Sequence, residues 1–188
     1  MESFNYLSVL ISIILGLAIA QVLQGVRGLV LTRSKVKRYT PTIIWTGMTL
    51  LIAIQDWWAS FSMHQQANWN FLALLTIVLQ ATSVYMLAAL VLPDAKGENT
   101  VDLREHYFAH RHWFFGALLG SVVFSLLKEL TLYGRLPRPL DLGFQLAFGV
   151  IAIVAMLQRR EWLHKLLAPV SAVLLLLYIG LIFRNLHQ

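Results

Sequence analysis

Asp56, Lys128, Glu129, Gln80 and Gln145 combine ionisable or hydrogen-bonding chemistry with positions inside long apolar runs. A charge in such a run is costly, and it faces a cavity or a partner. Asp56 lies about 15 residues after the expected start of its run, roughly 22 Å along a helix. Lys128 and Glu129 lie about 20 residues into theirs, near the far boundary. Gln145 falls at similar depth and Gln80 near the middle. Two readings follow. In one, these five side chains line an outward-facing polar pocket for an ion, a proton or a small polar molecule, with Trp57 and Trp58 beside it. In the other, Asp56 and Lys128 form a structural ion pair that fixes helix register, Glu129 reaches the headgroups, and Trp57, Trp58 and Trp69 form an interfacial belt. The bland reading is the stronger of the two on sequence alone.

The elements that must position these groups are membrane helices. Of 188 residues, 58% are hydrophobic and 13% charged, with a mean hydropathy of +0.67. Soluble domains carry roughly 25% charged residues, so this composition excludes an ordinary soluble domain, a disordered chain and a nucleic-acid-binding module. Apolar stretches run near 5–30, 42–63, 69–92, 108–132, 142–158 and 166–184. Each reaches the length needed to cross a bilayer, and their periodicity is helical. The chain is therefore expected to be a single all-α domain, 1–188, built as a bundle of six transmembrane helices. The first stretch stays apolar beyond Ala18-Ile19-Ala20 with no Lys or Arg before it, so it reads as a retained span rather than a cleaved leader.

The loops set orientation. One side receives Arg27, Arg33, Lys35, Lys37, Arg38, Lys96, Arg104, Arg111, Arg159, Arg160 and Lys165; the other receives Lys128, Arg135, Arg138 and Arg184. The richer side is expected to be cytoplasmic, with both termini outside. No sequence match links the two halves of the chain, so an inverted repeat is not favoured.

Helices in lipid associate through small and polar residues. Thr42, Thr46, Thr49, Ala53, Asp56 and Ser60 form one stripe on the second span, and Ala73, Thr76, Gln80 and Ser83 one on the third. Gly116 and Gly120 form a G-x-x-x-G on the fourth, a candidate surface for a homo-oligomer. The sixth span, mostly Leu, Val and Ile, is expected at the lipid-facing periphery. The segment from Asp102 to Trp113 reads as an amphipathic entry at the interface.

Two further clusters lie on the basic side. Asp102, His106 and His110 share a helix face and offer a weak alternative as a metal site, without H-E-x-x-H; headgroup contact is the favoured reading. Arg33, Lys35, Lys37 and Arg38 are candidates for contact with anionic lipid, although the positive-inside signal alone accounts for them. There is no cysteine, no nucleophile elbow and no phosphate-binding glycine loop, so no catalytic residue, metal or cofactor is assigned.

The segment FNYLSVLISIILGLAIAQVLQGVRGL, the pair Trp57-Trp58, YMLAALVLPD and DLREHYFAHRHWFF together resemble a family of small polytopic bacterial inner-membrane proteins. The resemblance implies a bacterial source and a compact polytopic fold. The family carries no assigned activity, so no residue role follows from it. The leading expectation is an ion- or small-ligand-handling protein, either a small transporter or channel subunit or a membrane sensor. A non-catalytic subunit of a membrane complex is the alternative, and an intramembrane lipid-acting enzyme a third.

Overall fold

A computed structural model describes residues 3–61, 63, 70–94 and 100–182. The polar turn 64–68, Trp69, Lys96 and Arg184 lie outside the described residues. The fold is all-α, with six helices: α1 Ser3–Leu31, α2 Thr40–Ser60, α3 Phe71–Val91, α4 Leu103–Tyr133, α5 Pro139–Leu157 and α6 Glu161–Ile182. Five of them, all but α2, are long and apolar enough to cross a membrane. At 21 residues α2 matches the others in length. Its Thr40, Thr42, Thr46, Thr49, Gln55 and Asp56 dilute its hydropathy.

Local chemistry sets the helix ends. Pro41 stands in the first turn of α2 and Pro139 opens α5, where the missing N–H costs no hydrogen bond. Asn70 caps α3, its Oδ1 accepting from Ala73 N at 2.7 Å. Asp102 caps α4, its Oδ1 accepting from Arg104 N at 3.0 Å and Glu105 N at 3.1 Å. The Glu105 N–H, with help from Arg104 N–H and Lys37, holds the Asp102 carboxyl below its ordinary range. Gly134 ends α4 with φ at 64°, in the left-handed region that glycine occupies without strain. The expected interfacial segment at Asp102–Trp113 is not a separate helix. It is the first part of α4, continuous over 31 residues.

The packing has a simple plan. Helices α1, α2 and α3 touch pairwise as a triangle. Helices α2, α3, α4, α5 and α6 close into a ring, each against the next. The α2 stripe faces inward: Thr42, Thr49 and Ala53 are fully buried, and Thr46 and Ser60 nearly so. Buried away from solvent, these hydroxyls bond within the protein. Thr46 Oγ1 donates to Thr42 O and Thr49 Oγ1 to Trp45 O, both at 2.8 Å, while Thr42 Oγ1 reaches across to Leu103 O at 3.3 Å.

Helix α6 departs from expectation in part. It keeps the expected outward aliphatic face, with Leu166, Val170, Val173, Leu176 and Leu177 exposed, but it also closes the ring between α2 and α5. His164, Ala168, Ser171 and Leu175 are buried on it. With Tyr178 they recur at intervals of 4, 3, 4 and 3, a second stripe hidden among aliphatic residues.

One end of the bundle is tied together. Val36–Lys37 (β1) and Val101–Asp102 (β2) form a short parallel sheet, Val36 opposite Val101 and Lys37 opposite Asp102. Lys37 Nζ meets Asp102 Oδ2 at 3.4 Å. Arg104 donates from Nε and Nη2 to Glu161 Oε2 at 2.9 and 2.8 Å, and Lys165 meets Glu161 Oε1 at 2.9 Å. The connections α1–α2 and α3–α4 and the start of α6 therefore share one end, the one rich in Lys and Arg. Inside it Tyr39, Trp45, Tyr107, Phe108, Phe114, Phe115 and His164 pack edge to face.

Gly25 marks the closest approach of α1 to the end of α3: a Cβ there would lie 2.9 Å from Leu92 Cδ1 and 3.0 Å from Leu92 Cβ. Leu92 Cβ cannot swing away, so Gly25→Ala should destabilise the protein by about 1–3 kcal/mol. Gly16→Ala, with nothing within 4 Å, should be neutral. Thermal melts of the two variants in detergent check the contrast.

Candidate functional site

The ring of five helices encloses a cavity of about 80 Å³. It runs from the middle of the bundle toward the end opposite the basic one. Helix α2 supplies Ile52, Gln55 and Asp56; α3 Gln80 and Val84; α4 Leu118, Ser121, Val122 and Ser125; α5 Phe144, Gln145 and Phe148; and α6 Leu175 and Tyr178. A water needs roughly 10–15 Å³ of such space, so this cavity holds a few waters or one small ligand.

Hydrogen bonding within the wall is lopsided. Gln80 Nε2 donates to Asp56 Oδ1 at 2.6 Å. Gln145 Nε2 donates to Asp141 Oδ1 at 3.0 Å, and Tyr178 OH donates to the same oxygen at 2.9 Å. Ser121 Oγ donates to Leu118 O at 2.8 Å. A carboxylate or a carbonyl can only accept, which fixes the orientation of both amides. Each of these four side chains has thus committed a donor to the protein. Gln145 Oε1 is left buried with no hydrogen-bond partner. An orphaned buried acceptor costs about 1–3 kcal/mol unless a ligand or water meets it.

Of the residues expected to line a pocket, Asp56, Gln80 and Gln145 come together and four do not. Lys128 and Glu129 are half-buried on α4 but stand outside the cavity wall. The Asp56–Lys128 ion pair of the structural reading is not formed either; the partner of Asp56 is Gln80. Lys128 is near enough for its charge to act on Asp56 across space. Trp57 and Trp58 point outward, 39% and 36% exposed. They follow Asp56 at 100° and 200° around the helix, so they cannot share its face. Trp57 Nε1 donates to Ser12 Oγ of α1 at 3.2 Å, and Trp58 packs against Phe61.

The other clusters also resolve. Asp102, His106 and His110 belong to one helix and its cap but are not gathered into one cluster. Asp102 is occupied as a cap, His106 Nε2 donates to Leu90 O and His110 Nδ1 to His106 O, each at 3.0 Å. Those nitrogens carry the protons, which leaves His106 Nδ1 and His110 Nε2 with lone pairs. Among the described residues no three His, Asp or Glu side chains are grouped to hold a metal. Arg33, Lys35, Lys37 and Arg38 are all exposed at the basic end, with Lys37 engaged by Asp102. Gly120 packs within the chain, 3.4 Å from Ser83 Oγ to a Cβ built there, while Gly116 faces open space.

Sequence reading missed Gln55, Asp141 and Tyr178. The Asp141–Gln145 pair was visible as an i, i+4 spacing at a helix start. Tyr178 was hidden by placing α6 in lipid.

Gln80→Leu should leave Asp56 without its donor and lower stability by about 1.5–3 kcal/mol, the range for bonds to charged groups. Adding Asp56→Leu should recover part of that loss, because the stranded carboxylate is then gone. Melting temperatures of the single and double variants measure this coupling.

Comparison of the chain with protein-family models, curated proteins and solved structures gives no match.

Proposed function

We propose that this chain is a six-span protein of the bacterial inner membrane, with both termini outside, that takes a small cation or a donor-bearing polar ligand into the Asp56 cavity. Its role is that of a small transporter or channel subunit, or of a sensor reading the same ligand. The observation that carries this reading is the carboxylate that Asp56 places on the cavity wall, together with an unmet acceptor on Gln145. Gln80 Nε2, Gln145 Nε2, Tyr178 OH and Ser121 OH are turned to protein acceptors. Beside Asp56 and the buried, unmet Oε1 of Gln145, Gln55 and Ser125 complete the polar lining. One carboxylate and an unmet amide oxygen in a largely apolar wall, with Gln55 and Ser125 able to donate or accept, favour a cation such as sodium, hydronium, ammonium or a small primary amine.

Two further features support the direction of access. The cavity lies away from the basic end, and the positive-inside bias puts that end in the cytoplasm. The basic end is filled by the aromatic rings around His164, which is 0% exposed. In this resting form a ligand enters from outside, and passage to the cytoplasm requires the aromatic packing to part. The expected self-association rests on Gly116, the half of the glycine pair not used within the chain.

Sodium or ammonium chloride should raise the melting temperature of the purified protein above that in choline chloride of equal ionic strength. Saturation at 100 times the dissociation constant corresponds to about 2.7 kcal/mol. Asp56→Asn should fold but lose that response. An equal response in Asp56→Asn, or none in the wild type, contradicts the reading. Counter-flow of the responsive cation in proteoliposomes then separates transport from sensing.

A further inference from the structure

Arg111 presents the opposite problem to Asp56. It is 5% exposed, yet no carboxylate accompanies it among the described residues. Its Nη1 donates to Phe108 O at 3.2 Å, and its Nε is buried without a partner. The charge that bears on it is another cation, Arg159. A buried guanidinium without a counter-charge costs several kcal/mol. Arg111 also borders a second small cavity with Trp45, His110 and Val91. Trp45, 1% exposed, contributes a second orphaned donor, Nε1; the Tyr107 hydroxyl is close by but outside hydrogen-bond geometry. The cavity measures about 10 Å³, room for a single oxygen atom. The buried groups left unmet on its wall, Arg111 Nε and Trp45 Nε1, are both donors, so the oxygen it takes is an acceptor, and a guanidinium without a counter-charge favours an anionic one.

The depth of Arg111 points to the source. Helix α4 has 31 residues, about 46 Å, against a hydrocarbon core of about 30 Å. Its excess lies in the stretch Arg104–His112, where the ionisable residues gather, and the run free of ionisable residues, Trp113–Leu127, begins only after it. Arg111 thus stands at the boundary of that run, at headgroup level on the basic side. We propose that Arg111 and Trp45 bind one phosphate oxygen of an anionic phospholipid headgroup, the rest of which lies at the surface beside His110. This site is separate from the exposed loop cations Arg33, Lys35, Lys37 and Arg38. It is independent of what the Asp56 cavity binds.

The test is lipid retention by the full-length protein in detergent, read by native mass spectrometry after exposure to phosphatidylglycerol or phosphatidylcholine. The wild type should keep one phosphatidylglycerol with about tenfold preference, equivalent to 1.4 kcal/mol. Arg111→Gln should lose the preference, Arg111→Lys should keep part of it, and the double variant Arg33→Gln, Arg38→Gln should retain it. Absence of preference in the wild type overturns the proposal whatever the variants do. So does equal preference in Arg111→Gln. If millimolar inorganic phosphate displaces the lipid and by itself protects the wild type but not Arg111→Lys against thermal unfolding, the site takes free phosphate and the lipid assignment is overturned.

Discussion

Inside a hydrocarbon layer a polar group has no water to turn to, so it must find its partner within the protein. Five helices of this chain are long and apolar enough to cross such a layer, and the buried polar side chains of the fold follow the same constraint. Threonines 42, 46 and 49 spend their hydroxyls on backbone carbonyls and thereby make α2 fit to stand inside the bundle. His164 is fully buried and satisfied at both nitrogens, Nδ1 accepting from Tyr107 OH and Nε2 donating to Gln158 O, each at 2.9 Å. These contacts hold α2, α4 and α6 at one level. The five-helix ring and its central space follow from them.

The two ends of the ring are built differently. At the basic end the short parallel sheet, the Arg104–Glu161 fork and the aromatic packing leave little room. Toward the opposite end the amides, serines and Asp56 stand among Leu, Val, Phe and Tyr side chains around a cavity. The residual imbalances differ in the same way. Gln145 Oε1 is an unmet acceptor in the half with the cavity, and Arg111 Nε and Trp45 Nε1 are unmet donors in the packed half. One chain thus leaves an unmet acceptor in one half and unmet donors in the other, the basis of the two ligand proposals.

The sequence made much of this legible, and the reasons for its failures are physical. Helix positions were clear because apolar runs of spanning length have few alternatives, and the α2 stripe was clear because threonine and alanine contrast with leucine. The stripe on α6 was not seen. His164, Ala168, Ser171 and Tyr178 are diluted by Leu and Val, and composition hides a face that spacing would have shown. Asp56 was correctly singled out, but its partner was taken from charge complementarity. Coulomb attraction favours Lys128; helix geometry brings Gln80, which the sequence marks only as polar. Trp57 and Trp58 were misplaced because neighbours in sequence point in different directions on a helix. The sheet between β1 and β2 joins segments more than sixty residues apart, and nothing local announces it.

The absence of cysteine makes the central claim directly testable. A single Ser125→Cys variant places a thiol in the cavity wall. Methanethiosulfonate reagents bearing an ethylammonium or an ethylsulfonate group can be applied to either face of oriented membrane vesicles. A cation-favouring, outward-open cavity predicts that the ammonium reagent reacts about tenfold faster or more, and only from the face opposite the basic end. Equal rates, faster reaction with the sulfonate, or labelling only from the basic face would contradict it.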